Sequence, residues 1–352
     1  TVLKSLMDAG LKINFAHQTF KWFSESANMA AVHCVIISFA KFDRKEKYIF
    51  QDDKKFSVTQ INSYLKDESQ IFVEYRANPL CNVPQMFFGS MPRDGKNFIL
   101  SEIEREIFIK ENPQSEKFIK LYLGADEFLN GKQRYCLWLA DCSDDELKQM
   151  PLVVKHIQAV KNFRLASKAE ATRKFAKTPK VFCQIAQPKT NYLLIPRVSS
   201  ENRKYIPMAF FNSNVIASDA TLIIPNATIY HFGILESSVH MAWTRAICGR
   251  LKSDYRYSKD IVYNNFVWCE ESAENVEKIS ATAEKILSVR KNFSDKTLAW
   301  LYNEKTMPAE LRAAHLENDF AVLEAYGFDK NLSEEDIVSA LMILYKNLTE
   351  KL

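Results

Sequence analysis

At 352 residues, with 47% hydrophobic and 12% aromatic side chains, the chain holds enough apolar material for more than one core. Lysine and arginine outnumber aspartate and glutamate by 47 to 43, a formal charge of +4, so a polyanionic partner would have to be met by local patches rather than by overall charge. Apolar runs fall short of the ~18 residues of a membrane helix, the 7 cysteines form no CxxC pair and the 6 histidines no ligand spacing, which argues against membrane anchoring and zinc and for reduced, buried thiols. The chain enters at Thr1 without a signal-peptide pattern, as expected of an excised or processed cytoplasmic chain.

The first elements are a helix-like start over Val2 to Gly10 and two neighbouring strands, INFAHQTFKW and AVHCVIISFAKF, parted by a polar break at Ser24 to Asn28. A strand pair is marginal alone, so these are expected to pack on a further domain or to be the end of a larger sheet. Residues 46–100 read as charged turns (Asp52 to Lys55), an amphipathic stretch at Ile61 to Leu65, then an irregular connection NPLCNVPQMFFGSMPRDGK anchored by Met86, Phe87 and Phe88. Ser101 with Glu104 has capping-box spacing and Pro113 closes that helix; Ser115 to Leu121 reads as another helix and Arg134 to Ala140 as a strand. Ser143 followed by Asp144, Asp145 and Glu146 opens a helix with an acidic first turn. A long helix is predicted from Pro151 through RLASKAEATRKFAKTP, with Arg164, Lys168, Arg173, Lys174 and Lys177 as a basic face offset only by Glu170.

Residues 180–235 read as a sheet of short segments: KVFCQIAQ, YLLIPRVSS, YIPMAFF, VIASDATLIIP and IYHFGIL. Among them RVSSENRK, residues 197–204, is a polar loop. Its Arg197 and Arg203 suit a phosphate or guanine and Glu201 suits cytosine's amino group, while the same three residues also suit a surface salt-bridge cluster. In Val239 to Phe266 a helical pattern (Val239, Ala242, Trp243, Ala246, Ile247) stops at Gly249. Beyond it Arg250, Lys252, Arg256 and Lys259 mix with Ser253, Tyr255, Tyr257 and Ser258, a combination suited to phosphates and sugars and equally to a solvated loop anchored by tyrosines. Residues 270–352 read as a small helical bundle, with helices at Ser272 to Phe293, Lys296 to Tyr302, Ala309 to Tyr326 and Ser333 to Thr349. The fold class is α/β (α+β): a mixed-sheet domain with flanking helices, followed by helices.

Taken together, INFAHQTFKW with AVHCVIISF, NPLCNVPQMFFGSMP, RVSSENRKYIP and ATIYHFGILESSVHMAWTRAICGRLKSDYRYSKDIVYNNF resemble, along the whole chain, the C-terminal half of MmeI-like type IIG (IIL) restriction-modification enzymes and related adenine-specific DNA methyltransferases. The resemblance implies that residues 1–45 are the last strands of a methyltransferase domain, 46–266 a DNA target recognition domain and 267–352 a C-terminal helical domain. It departs from the family at Val267, Trp268 and Cys269, where Pro-Trp-Pro commonly follows NNF. It further implies double-stranded DNA and the methyltransferase domain of the same polypeptide as partners. Base recognition would fall to Glu201 and Arg203, with a second position at Lys168 and Ala169. The DNA backbone would meet Arg164, Arg173, Lys174, Arg197, Ser199, Ser200, Arg250, Lys252, Ser253, Tyr255, Arg256 and Tyr257. The parent would transfer a methyl group from S-adenosylmethionine to adenine in a prokaryotic cytoplasm, with Mg if it carries a nuclease. This chain has neither the glycine-containing cofactor loop nor the Asn/Asp-Pro-Pro-Tyr/Phe motif, so it is expected to be catalytically silent and cofactor-free. Two other readings stand beside this one: a protein-interaction scaffold whose basic loops are merely solvated, and a hydrolase or transferase built on Asp219, His231 and His240, which lacks a nucleophile motif.

Overall fold

The computed structural model describes residues 2–23, 31–51 and 53–351, so the polar break at Ser24 to Asn28 and Asp52 of the charged turn lie outside the described residues. The chain forms two compact units: Thr1–Asn82 with Ser238–Glu270 and Leu323–Leu352, and Val83–Ser237 with Glu271–Val322. Both mix helices with small sheets, the α/β class expected.

In the first unit the helix Val2–Asp8 leads into strand Lys12–Phe23, which pairs antiparallel with Ala31–Ala40 and parallel with Lys47–Gln51; Lys54–Val58 closes the sheet. The expected strand pair is therefore half of a four-stranded sheet. The second hairpin escaped prediction because its charged turn masked the alternation of Lys47–Gln51, whose Tyr48 and Phe50 face away from buried Ile49. Ile13, Ala16, Ile49, Ile61 and Leu65 form the core beneath one face. The stretch at Ile61 to Leu65 is a turn rather than a helix: Asn62 Oδ1 accepts from the Tyr64 and Lys66 amides at 2.9 and 3.0 Å, and Leu65 sits at φ 58°. Consecutive amides Asn264 and Asn265 then order the extended segment 74–80. Asn264 Nδ2 donates to the Arg76 and Ala77 carbonyls and Asn265 Nδ2 to Glu74. Helix Glu334–Thr349 packs on helix Ser238–Ile247 through Trp243 and Tyr345, with ring centroids 5.8 Å apart, and through Arg245 Nε on Glu334 at 2.6 Å.

The second unit holds two four-stranded sheets. One runs Ala209–Phe211, Tyr192–Pro196, Thr221–Pro225, Phe87–Phe88, all antiparallel; the other runs Ile216–Ala217, Ile119–Leu123, Arg134–Leu137, Ile99–Ser101. Every residue of Tyr192–Pro196 is buried, which is why YLLIP is a continuous apolar run without alternation. Helix Glu102–Glu111 begins at the expected capping box, and Asp144–Lys148 at the expected Ser143 cap, which Glu146 completes as a second capping box. Four expectations are corrected here. Ser115 to Leu121 is the end of a short 3₁₀ turn followed by strand Ile119–Leu123, and 180–187 holds no strand. IYHFGIL is a helix, Ile229–Leu235: Thr228 precedes it and the His231 ring accepts from the Thr228 amide at 3.1 Å, while burial of Tyr230 through Leu235 erased any helical period. The predicted long helix ends at Leu165.

The C-terminal helices Ala273–Lys291, Leu298–Leu301, Ala309–Ala325 and Glu334–Thr349 form where expected, and are shared between the two units. Within the second unit Gly233 allows the close approach of Ala273–Lys291, since a Cβ there would lie 2.7 Å from Ile279 Cγ2. Beside it, buried Arg290 donates to Glu236 Oε1 and Oε2 at 2.6 and 2.7 Å, to Met208 O at 2.6 Å and to the Tyr302 hydroxyl at 2.7 Å. Tyr302 in turn donates to Glu236, and His315 Nε2 lies 3.0 Å from the same hydroxyl. Breaking one side of such a pair strands a buried charge. Arg290→Met is therefore expected to lower unfolding free energy by about 3–5 kcal/mol in urea titration, with Glu236→Gln plus Arg290→Met costing less than the sum of the single changes.

Candidate nucleic-acid interface

Gly249–Leu251 and Asp254–Arg256 form a hairpin immediately after helix Ser238–Ile247. Its tip is Lys252 and Ser253, with Lys252 at φ 57°. Arg250, Lys252 and Arg256 are exposed, whereas Tyr255 and Tyr257 are 3% and 2% exposed. Alternation along the second strand turns Arg256 outward between the inward rings of Tyr255 and Tyr257, while Lys252 stands at the turn and Arg250, the cross-strand partner of Tyr255, lies on the same face as that ring. Arg250 lies 4.1 Å over the Tyr255 ring and donates to Ser253 O at 3.2 Å, which stiffens one cation. Beneath the hairpin His240 Nε2 and the Tyr257 hydroxyl are 2.8 Å apart, and burial pushes the His240 pKa down to about 3. The same burial raises the Cys248 thiol to about 11, leaving it inert. Tyr255 and Tyr257 were expected on the DNA backbone; their rings are instead buried, where they anchor the hairpin.

The second basic segment lies in the other unit. After Leu165 the chain turns through Ala166 to Ala169 before a five-residue helix, Glu170–Lys174. Arg164 explains the break. It is fully buried, and its guanidinium donates to five carbonyl oxygens, those of Pro92, Arg93, Phe175, Thr178 and Val181, at 2.8–3.1 Å. All its donors face backbone, so the expected phosphate contact of Arg164 is corrected to a structural clamp. Arg173 Nη1 donates to the Ser167 and Lys168 carbonyls, both at 2.8 Å, and so fixes the turn that displays exposed Lys168 and Ala169. Lys174 pairs with Glu170 at 3.0 Å, both largely exposed, a bond weak enough to exchange for a phosphate.

In the same unit the RVSSENRK loop is shaped by its serines. The Ser200 carbonyl accepts from the Arg203 amide at 3.2 Å and its hydroxyl from the Asn202 amide at 3.3 Å. Arg203 Nη1 donates to Ser199 Oγ at 3.1 Å. Ser199 is 2% exposed, so its expected phosphate contact is corrected to a hold on Arg203. Arg197 is half-buried, donating to Asp219 O at 2.8 Å and covering the Phe88 ring at 4.7 Å, while Ser200, Glu201 and Arg203 remain half-buried at the loop. Asp219, His231 and His240 form no acid/base set: His231 caps a helix and His240 supports the hairpin. Among the described residues there is no group of three or more potential metal ligands and no helix long and apolar enough to cross a membrane.

The model of the MmeI target recognition domain matches residues 67–270, that of the MmeI C-terminal domain residues 271–352, and that of the MmeI DNA-methyltransferase domain residues 1–51. The chain belongs to the MmeI family of type IIL/IIG restriction-modification enzymes. It is 40% identical over 348 residues to DNA methyltransferase A of Bacillus subtilis (strain 168), a match covering 98% of this chain and 39% of that protein. It superposes on the type IIL restriction-modification enzyme MmeI, solved in complex with DNA, with a TM-score of 0.92 and 42% identity over 99% of this chain and 47% of that one. The chain thus spans less than half the length of each relative.

Two outcomes are expected. Arg164→Lys, which cannot reach five carbonyls, should destabilise the protein by about 3 kcal/mol in urea titration. His240 is neutral when folded down to about pH 3, whereas unfolded histidine takes a proton below about 6.5. Its contribution is therefore intact above pH 6.5 and declines as pH falls toward 3, by about 2 kcal/mol at pH 5, and His240→Phe should flatten that slope.

Proposed function

We propose that this chain is the sequence-reading part of a longer restriction-modification protein and binds double-stranded DNA. The observation that carries the reading is the hairpin of outward Arg250, Lys252 and Arg256 over buried tyrosines, in a chain so similar to a protein solved with DNA. In this reading Arg250, Lys252, Ser253, Arg256, Arg173, Lys174, Arg197 and Ser200 meet phosphates and sugars. Glu201 and Arg203 read base edges, Arg203 toward guanine and Glu201 toward cytosine, and Lys168 and Ala169 supply a second position, Ala169 by contact with a thymine methyl. Residues 1–45 close a methyltransferase domain, 46–266 recognise the target, and 267–352 form the helical domain.

The parent is an adenine-specific methyltransferase that uses S-adenosylmethionine in the cytoplasm. Residues 1–51 do not fit that cofactor themselves: their single glycine, Gly10, lies in the turn between Val2–Asp8 and Lys12–Phe23, with nothing within 4 Å of a Cβ placed there. Cofactor binding and methyl transfer are assigned to the rest of the parent.

Fluorescence anisotropy with duplex DNA at about 50 and 200 mM salt tests the reading, binding being expected to weaken steeply with salt. Arg203→Ala should relax one base position by about 1–3 kcal/mol, while Arg250→Ala and Lys252→Ala weaken all sequences alike and each lower the salt slope by about one. Equal losses on every sequence for all three would refute the assignment of Arg203. Absence of salt-dependent binding would favour a protein-interaction scaffold, for which Ile343, 59% exposed on helix Glu334–Thr349, is the place to look.

A further inference from the structure

The turn Met91–Lys96 was read as plain connection, yet it carries two exposed cations, Arg93 and Lys96. Both take the left-handed backbone that disfavours side-chain-bearing residues, at φ 43° and 65°, with Gly95 at 64° close by. The turn is held in that shape by specific bonds. Arg164 takes the Pro92 and Arg93 carbonyls, the Asp94 carboxylate accepts from the Phe98 amide at 2.6 Å, and Asn97 Nδ2 donates to Asp94 O at 2.8 Å.

The turn is also tied to the second basic segment. Arg93 Nη1 donates to Thr172 Oγ1 at 2.9 Å, in helix Glu170–Lys174. The Arg164 guanidinium that holds the turn also holds the carbonyls of Phe175, Thr178 and Val181. Arg93 and Lys96 are thereby fixed to the piece of chain that displays Lys168, Arg173 and Lys174. Exposed cations on a turn whose backbone is fixed are suited to phosphodiesters of a nucleic-acid backbone.

We propose that the Met91–Lys96 turn is a further DNA-phosphate contact, Arg93 and Lys96 each taking a backbone phosphate and so setting the register at which Lys168 and Ala169 meet base edges. The inference rests on the DNA-recognition reading above. It is tested in the full-length protein by salt titration of duplex binding and by phosphate-ethylation interference, comparing Arg93→Gln, Lys96→Gln and the charge-preserving Lys96→Arg. Each glutamine variant is expected to lower the salt slope by about one, to weaken all sequences alike and to lose interference at one phosphate, while Lys96→Arg retains both. Lys96→Gln keeps the test independent of any loosening of the turn by Arg93→Gln. Salt-dependent binding by the unsubstituted protein, with slope and interference pattern unchanged in Lys96→Gln, would overturn the role of the turn and leave the DNA reading intact. No duplex binding by the unsubstituted protein would overturn both.

Discussion

A guanidinium has five N–H donors in one plane, and in Arg164 they all go to main-chain carbonyls from two stretches of chain, Pro92 with Arg93 and Phe175 through Val181. The second unit's basic segment and the Met91–Lys96 turn depend on that clamp. Local backbone bonds reach only the Phe175 and Thr178 carbonyls of the second stretch, and a buried carbonyl without a donor is costly. Leucine or methionine at position 164 would fill the space and take the guanidinium's donors from all five carbonyls, of which Phe175 and Thr178 would keep a backbone amide. The clamp lets two irregular segments lie buried at their backs while their side chains face solvent.

The two basic segments use different means toward the same end. On the hairpin, the pleat turns Arg256 away from Tyr255 and Tyr257, the turn exposes Lys252, and Arg250 is steadied across the strands on the Tyr255 ring. Around Glu170–Lys174 the helix is too short to hold anything unaided, and side-chain donors from Arg164, Arg173 and Arg93 take the place of a regular ladder. Arginine is required around Glu170–Lys174 because a lysine ammonium does not bridge several fixed acceptors in one plane.

How much of this was legible follows the same division. The capping box at Ser101, the N-caps at Ser143 and Ser333 and the strand pair Lys12–Phe23 and Ala31–Ala40 are local signals, and they were readable from the sequence. IYHFGIL was not, because a helix buried on all sides shows no period, and its β-branched and aromatic content resembles a strand. At the site, the sequence showed where cations gather but not which of them is buried. Arg164 and Arg173 share one basic run and both donate to backbone carbonyls, yet the first is buried and the second exposed. Tyr255 and Tyr257, two apart and flanking Arg256, did carry an alternation that separates anchor from contact. The Met91–Lys96 turn left a fainter trace: Gly95 hinted at left-handed backbone, while nothing marked Arg93 and Lys96 as sharing it.

The first unit is assembled from three separated stretches of chain, ending with the helix that packs Tyr345 against Trp243. Residues on one side of that contact leave the ribosome about a hundred positions before those on the other. The second unit, whose last segment ends at Val322, is complete in sequence sooner. During synthesis, then, the clamp around Arg164 can close while the hairpin-bearing helix still waits for its C-terminal partner. Closing so wide a loop makes the first unit the slower one to finish, and its apolar helix face stays uncovered for longest.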